Sequence, residues 1–155
     1  SRGKAFEAAR HHRHDLIIAA DTIVVCQEQV LGKPGSPEEA REMLRLLSGR
    51  EHLVITGFTV TDPSSARTIT RSVETRVRLR ALSEEEIAAY VASGEPMGKA
   101  GAYAIQGLGA VLVEGIEGDY YNVVGLPLCA LAETLREFGV KVLHPPEEGG
   151  PCAAR

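Results

Sequence analysis

Tryptophan is absent from the 155 residues, and aromatic residues make up only 5% of them. Few side chains can therefore stack on nucleic-acid bases, and the net charge of −4 further disfavours a nucleic-acid coat. No run approaches the roughly 18 apolar residues that a membrane-spanning helix needs, and no signal peptide is recognisable. We therefore expect a cytoplasmic protein that binds neither nucleic acid nor membranes.

Cysteine is scarce, with three residues at Cys26, Cys129 and Cys152 and no CxxC pair. The odd count argues against a disulfide framework, and the wide spacing argues against a cysteine-ligated zinc site. Reduced thiols of this kind are typical of cytosolic proteins. The histidines within 11–14 match no tight metal site, so we interpret them as solvated residues at a helix end.

Ordinary shares of hydrophobic and charged residues, 44% and 25%, predict a folded protein rather than a disordered chain. The length is typical of one domain. We place this domain at residues 1–143, because the sequence that follows, HPPEEGGPCAAR, is rich in proline and glycine. Residues 144–155 are therefore expected to form a disordered tail.

Apolar periodicity predicts an α/β protein. Ser36 and Ser83 each precede an amphipathic run and are followed three residues later by a glutamate, the signature of a capping box. Residues 68–80 alternate in polarity, which is typical of a half-buried antiparallel strand. In chain order we expect helices at 1–14, 36–48, 83–93 and from 127, strands at 15–26, 52–61, 68–80, 110–116 and 140–143, and loops at 27–35, 95–109 and 119–125.

An acidic side chain interrupts an otherwise apolar strand. Asp21 follows two isoleucines and two alanines, and it precedes Thr22 and a second apolar run. Burying an unpaired carboxylate costs several kcal/mol, so Asp21 is either capped by the structure or faces a cleft that binds a ligand. A carboxylate in a cleft is a candidate general base or metal ligand, whereas Thr22 could be an ordinary strand residue.

Two lysines and a glutamine are candidate ligand contacts. Lys33 lies in a Gly-Lys-Pro sequence after the strand, and an ammonium group directed at Asp21 suits a polyphosphate. Gln106 lies in a glycine-rich segment and offers both a donor and an acceptor, which suits the edge of a base. Lys4 lies on the first predicted helix. Solvated lysines and a flexible connection are the alternative interpretations, and the glycine spacing matches neither a Rossmann nor a P-loop pattern.

Taken together, nine short segments in order make residues 1 to about 139 resemble the Maf family of nucleotide pyrophosphatases. The segments are KA at 4–5, ADT at 20–22, LGKP at 31–34, LSGREH at 47–52, TG at 56–57, SGEP at 93–96, KAGAY at 99–103, IQG at 105–107 and NVVGLPL at 122–128. The resemblance implies an elongated mixed β-sheet flanked by helices and a nucleotide cleft, as in the inosine triphosphate pyrophosphatases.

The resemblance also implies an activity. A nucleoside triphosphate would be hydrolysed to the monophosphate and pyrophosphate with the help of Mg²⁺ or Mn²⁺. By position, Asp21 corresponds to the family's proton acceptor and is the expected metal ligand. Lys4 and Lys33 correspond to its phosphate-contacting lysines, and Thr22 and Gln106 to positions linked to base choice. The KAGAYAIQG segment is similar to the branch that acts on dTTP and UTP, with modified pyrimidine nucleotides as further candidates.

The sequence differs from the family pattern in two respects. The family usually opens with a strand and a Ser-x-Ser-Pro-Arg-Arg loop that grips the phosphates, and it usually has an aspartate where Gly98 stands here. We therefore expect the 1–143 domain to be N-terminally incomplete and the chain as given to be weakly active or inactive.

Two alternatives to an active enzyme stay open. One is a nucleotide-binding or division-regulating protein that hydrolyses nothing, in keeping with the family's association with septum formation. The other is nucleic-acid binding through Arg71, Arg76, Arg78 and Arg80, which the acidic net charge opposes. The oligomeric state is also open, with a homodimer among the candidates.

Overall fold

The structure is a computed structural model that describes residues 1–10, 12 and 15–143. Helices and strands alternate irregularly along the chain, and two short 3₁₀ turns lie between α3 and β5. The elements are α1 (Arg2–Ala9), β1 (Ile17–Cys26), β2 (Gln29–Leu31), α2 (Pro37–Leu47), β3 (Glu51–Asp62), β4 (Arg67–Leu79), α3 (Glu84–Ala92), the 3₁₀ turns Ala100–Ala102 and Gly107–Leu112, β5 (Val113–Glu117), α4 (Tyr120–Val124) and α5 (Leu128–Glu137).

The strands form one five-stranded sheet in the order β2-β1-β3-β4-β5. The expected α/β architecture of a sheet flanked by helices is confirmed, but the four described strand pairs are all antiparallel rather than mixed. Short hairpins join β1 to β2 and β3 to β4, and a hairpin can only produce antiparallel neighbours. In the second hairpin, Asp62 pairs with Arg67, and the Asp62 carboxylate accepts a hydrogen bond from the Ser64 amide that closes the turn.

The apolar faces of the helices cover the sheet. The larger core cluster lies between the sheet and helices α2 and α3, and it includes the fully buried side chains of Leu44, Leu47 and Leu79. A smaller cluster joins Phe58 and Val60 of β3 to α5. Burial of a large aliphatic side chain contributes about 1.5–3 kcal/mol, so these two clusters are what hold the helices against the strands.

The capped helices were predicted correctly. Ser36 accepts a hydrogen bond from the amide of Glu39, although the Glu39 carboxylate bonds the Gly35 amide instead of completing the box at Ser36. Ser83 and Glu86 form the full reciprocal capping box. Both caps are local hydrogen bonds between residues three apart, which is why the sequence pattern identifies them.

Four expectations from the sequence were wrong. The predicted loop at 27–35 contains β2, which pairs with the end of β1. The predicted loop at 119–125 contains α4, which begins where the Asp119 side chain caps the amides of Tyr121 and Asn122. The tyrosines and valines of this segment favour strands, so the sequence pattern does not indicate a helix. Residues 140–143 form no strand, and residues 110–112 belong to a 3₁₀ turn, so β5 begins at Val113.

Three other expectations concern segments that lie partly or wholly outside the residues that the structure describes. The first helix ends at Ala9 rather than at residue 14, and most of the histidine cluster lies outside the described residues, as does the predicted tail at 144–155. Within the ranges 1–10, 12 and 15–143, no helix has the length and apolar character needed to cross a bilayer.

Candidate active site

One cavity of about 320 Å³ brings together all the site residues predicted from the sequence. These come from four separate parts of the chain: Lys4 from α1, Asp21 and Thr22 from β1, Lys33 from the loop after β2, and Gln106 from the glycine-rich segment before the second 3₁₀ turn. The fold therefore gathers them at one place, although their individual roles remain predictions.

Asp21 and Thr22 are neighbours in a strand, yet both line the cavity. Successive side chains of a strand point to opposite faces, so two neighbours can share a cavity only where it wraps around a sheet edge. β2 pairs only with Val24–Cys26 of β1. In the part of the chain that the structure describes, the preceding residues of β1 lie at such an edge, which explains the shared cavity.

The Asp21 carboxylate forms an ion pair with Lys4, whose Nζ lies 2.9 Å from Oδ1. The side chains of Asp21 and Lys4 are 54% and 62% exposed, respectively. Of the two interpretations of Asp21 offered by the sequence, the second therefore holds: Asp21 faces a cleft, is paired there with Lys4, and avoids most of the desolvation cost of a buried carboxylate. The hydrogen bond from Lys4 lowers the pKa of Asp21, and the positive charge of Lys33 adds a smaller effect in the same direction. Asp21 is therefore ionised at neutral pH.

Three lysines line the cavity around that one carboxylate. Besides Lys4 and Lys33, the cavity is lined by Lys99, a residue of the KAGAY segment that was not among the site residues predicted from the sequence. The Gly101 amide donates a hydrogen bond to the Gly32 carbonyl at 3.0 Å, so the loops that carry Lys33 and Lys99 are tied together. An excess of ammonium groups over carboxylates suits a polyanionic ligand such as a polyphosphate.

The loop that carries Lys99 requires glycine at position 101. Gly101 has a φ of 70°, in the left-handed region that glycine favours, and an added Cβ would lie 3.0 Å from a methyl group of Val24. Gly98, which stands where the resembling family usually has an aspartate, also lines the cavity. The family's additional carboxylate position therefore belongs to this cavity, and here it carries no charge.

A chain of buried hydroxyl and amide groups runs from Thr22 into the protein. Thr22 Oγ1 lies 2.8 Å from Thr56 Oγ1, and Thr56 donates to the carbonyl oxygen of Asn122 at 2.9 Å. The Asn122 side chain in turn donates to the Val54 carbonyl and to Thr75 Oγ1. Thr56 and Asn122 are completely buried, so this chain anchors α4, which follows Asp119 and forms one wall of the cavity, to β3 and β4.

Glu95 holds the segment that carries Gln106. Its carboxylate accepts hydrogen bonds from the amides of Leu108 and Gly109, at 2.9 and 2.7 Å, and from the hydroxyl of Tyr90 at 2.8 Å. The amide of Leu108 contributes most to lowering the pKa of Glu95. Glu95 thus caps the 3₁₀ turn that begins directly after Gln106, and this explains the SGEP segment as a structural support.

A buried histidine supports another wall of the cavity. Tyr103 lines the cavity, and its hydroxyl lies 2.7 Å from His52 Nε2. Both side chains are almost fully buried, and burial lowers the pKa of His52 to about 4 and raises that of Tyr103. His52 is therefore neutral at physiological pH and acts as a hydrogen-bonding support.

Metal ligands are few. Among the residues that the structure describes, no three histidine, cysteine, aspartate or glutamate side chains are grouped to hold an ion. Asp21 is the one carboxylate that lines the cavity among residues 1–10, 12 and 15–143. Mg²⁺ commonly binds one or two protein carboxylates and takes its other ligands from water and substrate phosphates, so this donor set fits a metal that arrives with a polyphosphate and does not fit a closed structural site.

Three of the four arginines considered as a nucleic-acid contact, in β4 and directly after it, form ion pairs. Arg71 lies 2.5 Å from Glu137, Arg76 lies 3.3 Å from Glu51, and Arg80 lies 2.7 Å from Glu86. These contacts join β4 to α5, β3 and α3. These three arginines thus have a structural use in this fold, separate from the cavity.

Comparison with known proteins gives a consistent result. Several relatives carry the name dTTP/UTP pyrophosphatase, among them three from different organisms. The one from Methanosarcina mazei is 51% identical over 140 residues, which cover 90% of this chain and 71% of the relative. The one from Dictyoglomus thermophilum is 48% identical over 140 residues, covering 90% and 72%. The one from Pelotomaculum thermopropionicum is 54% identical over 128 residues, covering 83% and 67%.

The family model described as Maf-like protein matches residues 1–138. This range contains every element from α1 to α5 and every residue that lines the cavity. The chain therefore belongs to the Maf family.

Proposed function

We propose that this cavity hydrolyses the nucleoside triphosphates dTTP and UTP to the monophosphate and pyrophosphate. The observation that carries the proposal is the composition of the cavity: three lysines and one ionised carboxylate line it, together with neutral hydrogen-bonding groups from Thr22 and Gln106. A polyphosphate and a base need these two environments together. The relatives named dTTP/UTP pyrophosphatase support the same substrate class.

In this proposal Asp21 is the proton acceptor. A water molecule attacks the α-phosphorus, its proton passes to the Asp21 carboxylate, and the bond between the α-phosphorus and the bridging oxygen breaks. Pyrophosphate leaves with the bridging oxygen and its electron pair. The ion pair with Lys4 supports this role because it keeps the carboxylate ionised and in one orientation.

Lys4, Lys33 and Lys99 stabilise the negative charge of the phosphates and of the departing pyrophosphate. A divalent ion, Mg²⁺ or Mn²⁺, bound by Asp21 and by the substrate phosphates, would supply further neutralisation of that charge. Thr22 and Gln106 contact the base and choose between nucleotides. We place the enzyme in the cytoplasm, where free nucleotides are abundant, and the free thiols of Cys26 and Cys129 are compatible with that compartment.

The test measures pyrophosphate release from dTTP and UTP with Mg²⁺. Asp21→Asn preserves the shape of the side chain but removes the base, so kcat should fall about 10²-fold or more while dTTP binding persists. Asp15→Asn is the matched control, because Asp15 is an exposed aspartate that lies outside the cavity. Parent-level hydrolysis by Asp21→Asn would contradict the assignment.

Calorimetric measurement of dTTP binding, made beside this assay, separates hydrolysis from binding alone. If the parent chain binds dTTP, as measured by calorimetry, but releases no pyrophosphate, the chain is a non-hydrolysing nucleotide-binding protein. Lys33→Met should weaken dTTP binding more than thymidine binding, because Lys33 contacts only the phosphates in this proposal. Lys141→Met, an exposed lysine outside the cavity, serves as its control.

A further inference from the structure

We infer that the Thr22 hydroxyl faces the substrate only as a hydrogen-bond acceptor, because it donates its proton to Thr56, which in turn donates to the buried carbonyl of Asn122. The cavity would then select bases that present an N–H group to Thr22, as uracil and thymine do at ring position 3. The inference rests on the proposed function in that it assumes a pyrimidine nucleotide in the cavity, and it assigns Thr56 and Asn122 as positioning residues for base choice.

The direction of the hydrogen bonds follows from the inner end of the chain. A backbone carbonyl can only accept, so the hydroxyl of Thr56 must donate to the Asn122 carbonyl at 2.9 Å. A hydroxyl has one proton. Thr56 therefore has none left for Thr22, and in their 2.8 Å contact Thr22 must be the donor. The cavity side of the Thr22 hydroxyl then holds lone pairs and no proton.

Burial keeps this direction from reversing. Thr56 and Asn122 are fully buried, so water cannot offer Thr56 another partner without opening the core. The Asn122 side chain amide donates to the Val54 carbonyl at 3.0 Å and to Thr75 Oγ1 at 2.9 Å. Because the Val54 carbonyl can only accept, the amide cannot turn over, and the Asn122 backbone stays in place.

Thr75 completes the arrangement by joining Asp119, the N-cap of α4, to β4. Its hydroxyl donates to the Asp119 carbonyl at 3.0 Å and accepts from the Asp119 amide at 3.1 Å. This short helix is thus bonded to β4 at its N-cap and to β3 and β4 at Asn122. The Asn122 carbonyl is held where it meets Thr56, and the neighbouring residues Val123 and Val124 are held where they line the cavity.

The chemical consequence is discrimination between imide and amidine rings. Uracil and thymine carry a proton on ring nitrogen 3, whereas cytosine has a lone pair there. A Thr22 hydroxyl that can only accept a hydrogen bond binds the N–H group of uracil or thymine and repels the lone pair of cytosine. A hydrogen bond lost between enzyme and substrate lowers kcat/KM by about 10- to 100-fold, so the parent should prefer UTP over CTP by about this factor.

The test measures the ratio of UTP to CTP in kcat/KM and, separately, in binding affinity. Thr56→Val keeps the side-chain shape but releases the Thr22 proton, which can then be donated to cytosine. The ratio should fall about 10-fold, mainly because the KM for CTP decreases, with kcat for UTP within about threefold of the parent. Thr56→Ser restores the hydroxyl and should restore the ratio.

Thr59→Val is the matched control, since Thr59 is a fully buried threonine of the same strand that does not line the cavity. It should leave the ratio unchanged. If Thr56→Val does not fold, Thr22→Val and Thr22→Ser replace it: the valine variant lacks the acceptor and should lose the preference, and the serine variant should keep it.

Failure of this inference differs from failure of the proposed function. Preferential binding of UTP without hydrolysis would refute the proposed hydrolysis and support the acceptor role of Thr22. A parent that does not distinguish UTP from CTP in binding, or a folded Thr56→Val variant that keeps the parent ratio, would overturn the inference.

Discussion

Replacing Glu95 by glutamine tests how the structure holds Gln106 in the cavity. The carboxylate of Glu95 accepts three hydrogen bonds, two from consecutive backbone amides and one from Tyr90. A glutamine side chain has the same shape but replaces one acceptor oxygen by an NH₂ donor. One N–H or O–H group of the protein must then face another donor, so the 3₁₀ turn that follows Gln106 should lose its cap.

The magnitude follows from these contacts. Hydrogen bonds to a charged group contribute about 1.5–3 kcal/mol each, and an unsatisfied donor costs about 1–3 kcal/mol. Gly109, whose amide is bonded at 2.7 Å, is buried, so water cannot fully compensate for that bond. We expect Glu95→Gln to lower the free energy of unfolding by about 2 kcal/mol, which corresponds to roughly 4–8 °C in Tm for a domain of this size.

Urea denaturation at neutral pH measures the stability change, and the pH dependence adds a second check. Hydrogen bonds lower the pKa of Glu95 in the folded state, so its contribution is present above the ordinary glutamate pKa and is lost as the pH falls below it. The difference between the parent and Glu95→Gln should therefore shrink in acid. Glu114→Gln, an exposed glutamate of β5, is the control and should change stability by less than about 0.5 kcal/mol.

The activity of the same variant completes the test. If Glu95 positions Gln106, base selectivity should weaken along with stability, whereas hydrolysis of the preferred nucleotide should fall less. A Glu95→Gln protein with the stability and the selectivity of the parent would refute the reasoning.

Three further predictions concern the walls of the cavity. The parent should lose unfolding free energy between pH 6.5 and 4, because a histidine with a folded pKa of about 4 takes up its proton mainly on unfolding. His52→Gln should lose less, by about 3 kcal/mol at most, and denaturation at both pH values measures this difference. Gly101→Ala should lower the free energy of unfolding by more than about 1 kcal/mol, since alanine is strained at a φ of 70° and its Cβ would crowd Val24 at 3.0 Å, and a Tm equal to that of the parent would contradict this. Lys4→Met should move the acidic limb of the pH–rate profile to higher pH, because the hydrogen bond from Lys4 lowers the pKa of Asp21, and an unchanged limb would exclude Asp21 as the titrating base.

Some features of this protein follow from the sequence alone because they depend on residues close together in the chain. The serine caps at Ser36 and Ser83 lie three residues from their partners, and the alternation of β4 depends only on successive side chains. The candidate residues Asp21 and Lys33 could be named for a similar reason, since a carboxylate within an apolar strand and a lysine held between glycine and proline are local anomalies.

The tertiary structure decided how these residues meet. The strand pairing shows that, within the described part of the chain, Asp21 lies at a sheet edge, where it is exposed beside Lys4. Lys99 enters the cavity because the Gly101 amide bonds the Gly32 carbonyl, a contact between distant segments. The hydroxyl chain from Thr22 through Thr56 to Asn122 joins three elements, and its direction depends on burial. Sequence periodicity reports which face of an element is apolar, but it does not report which segments pack together, and that packing creates the cavity.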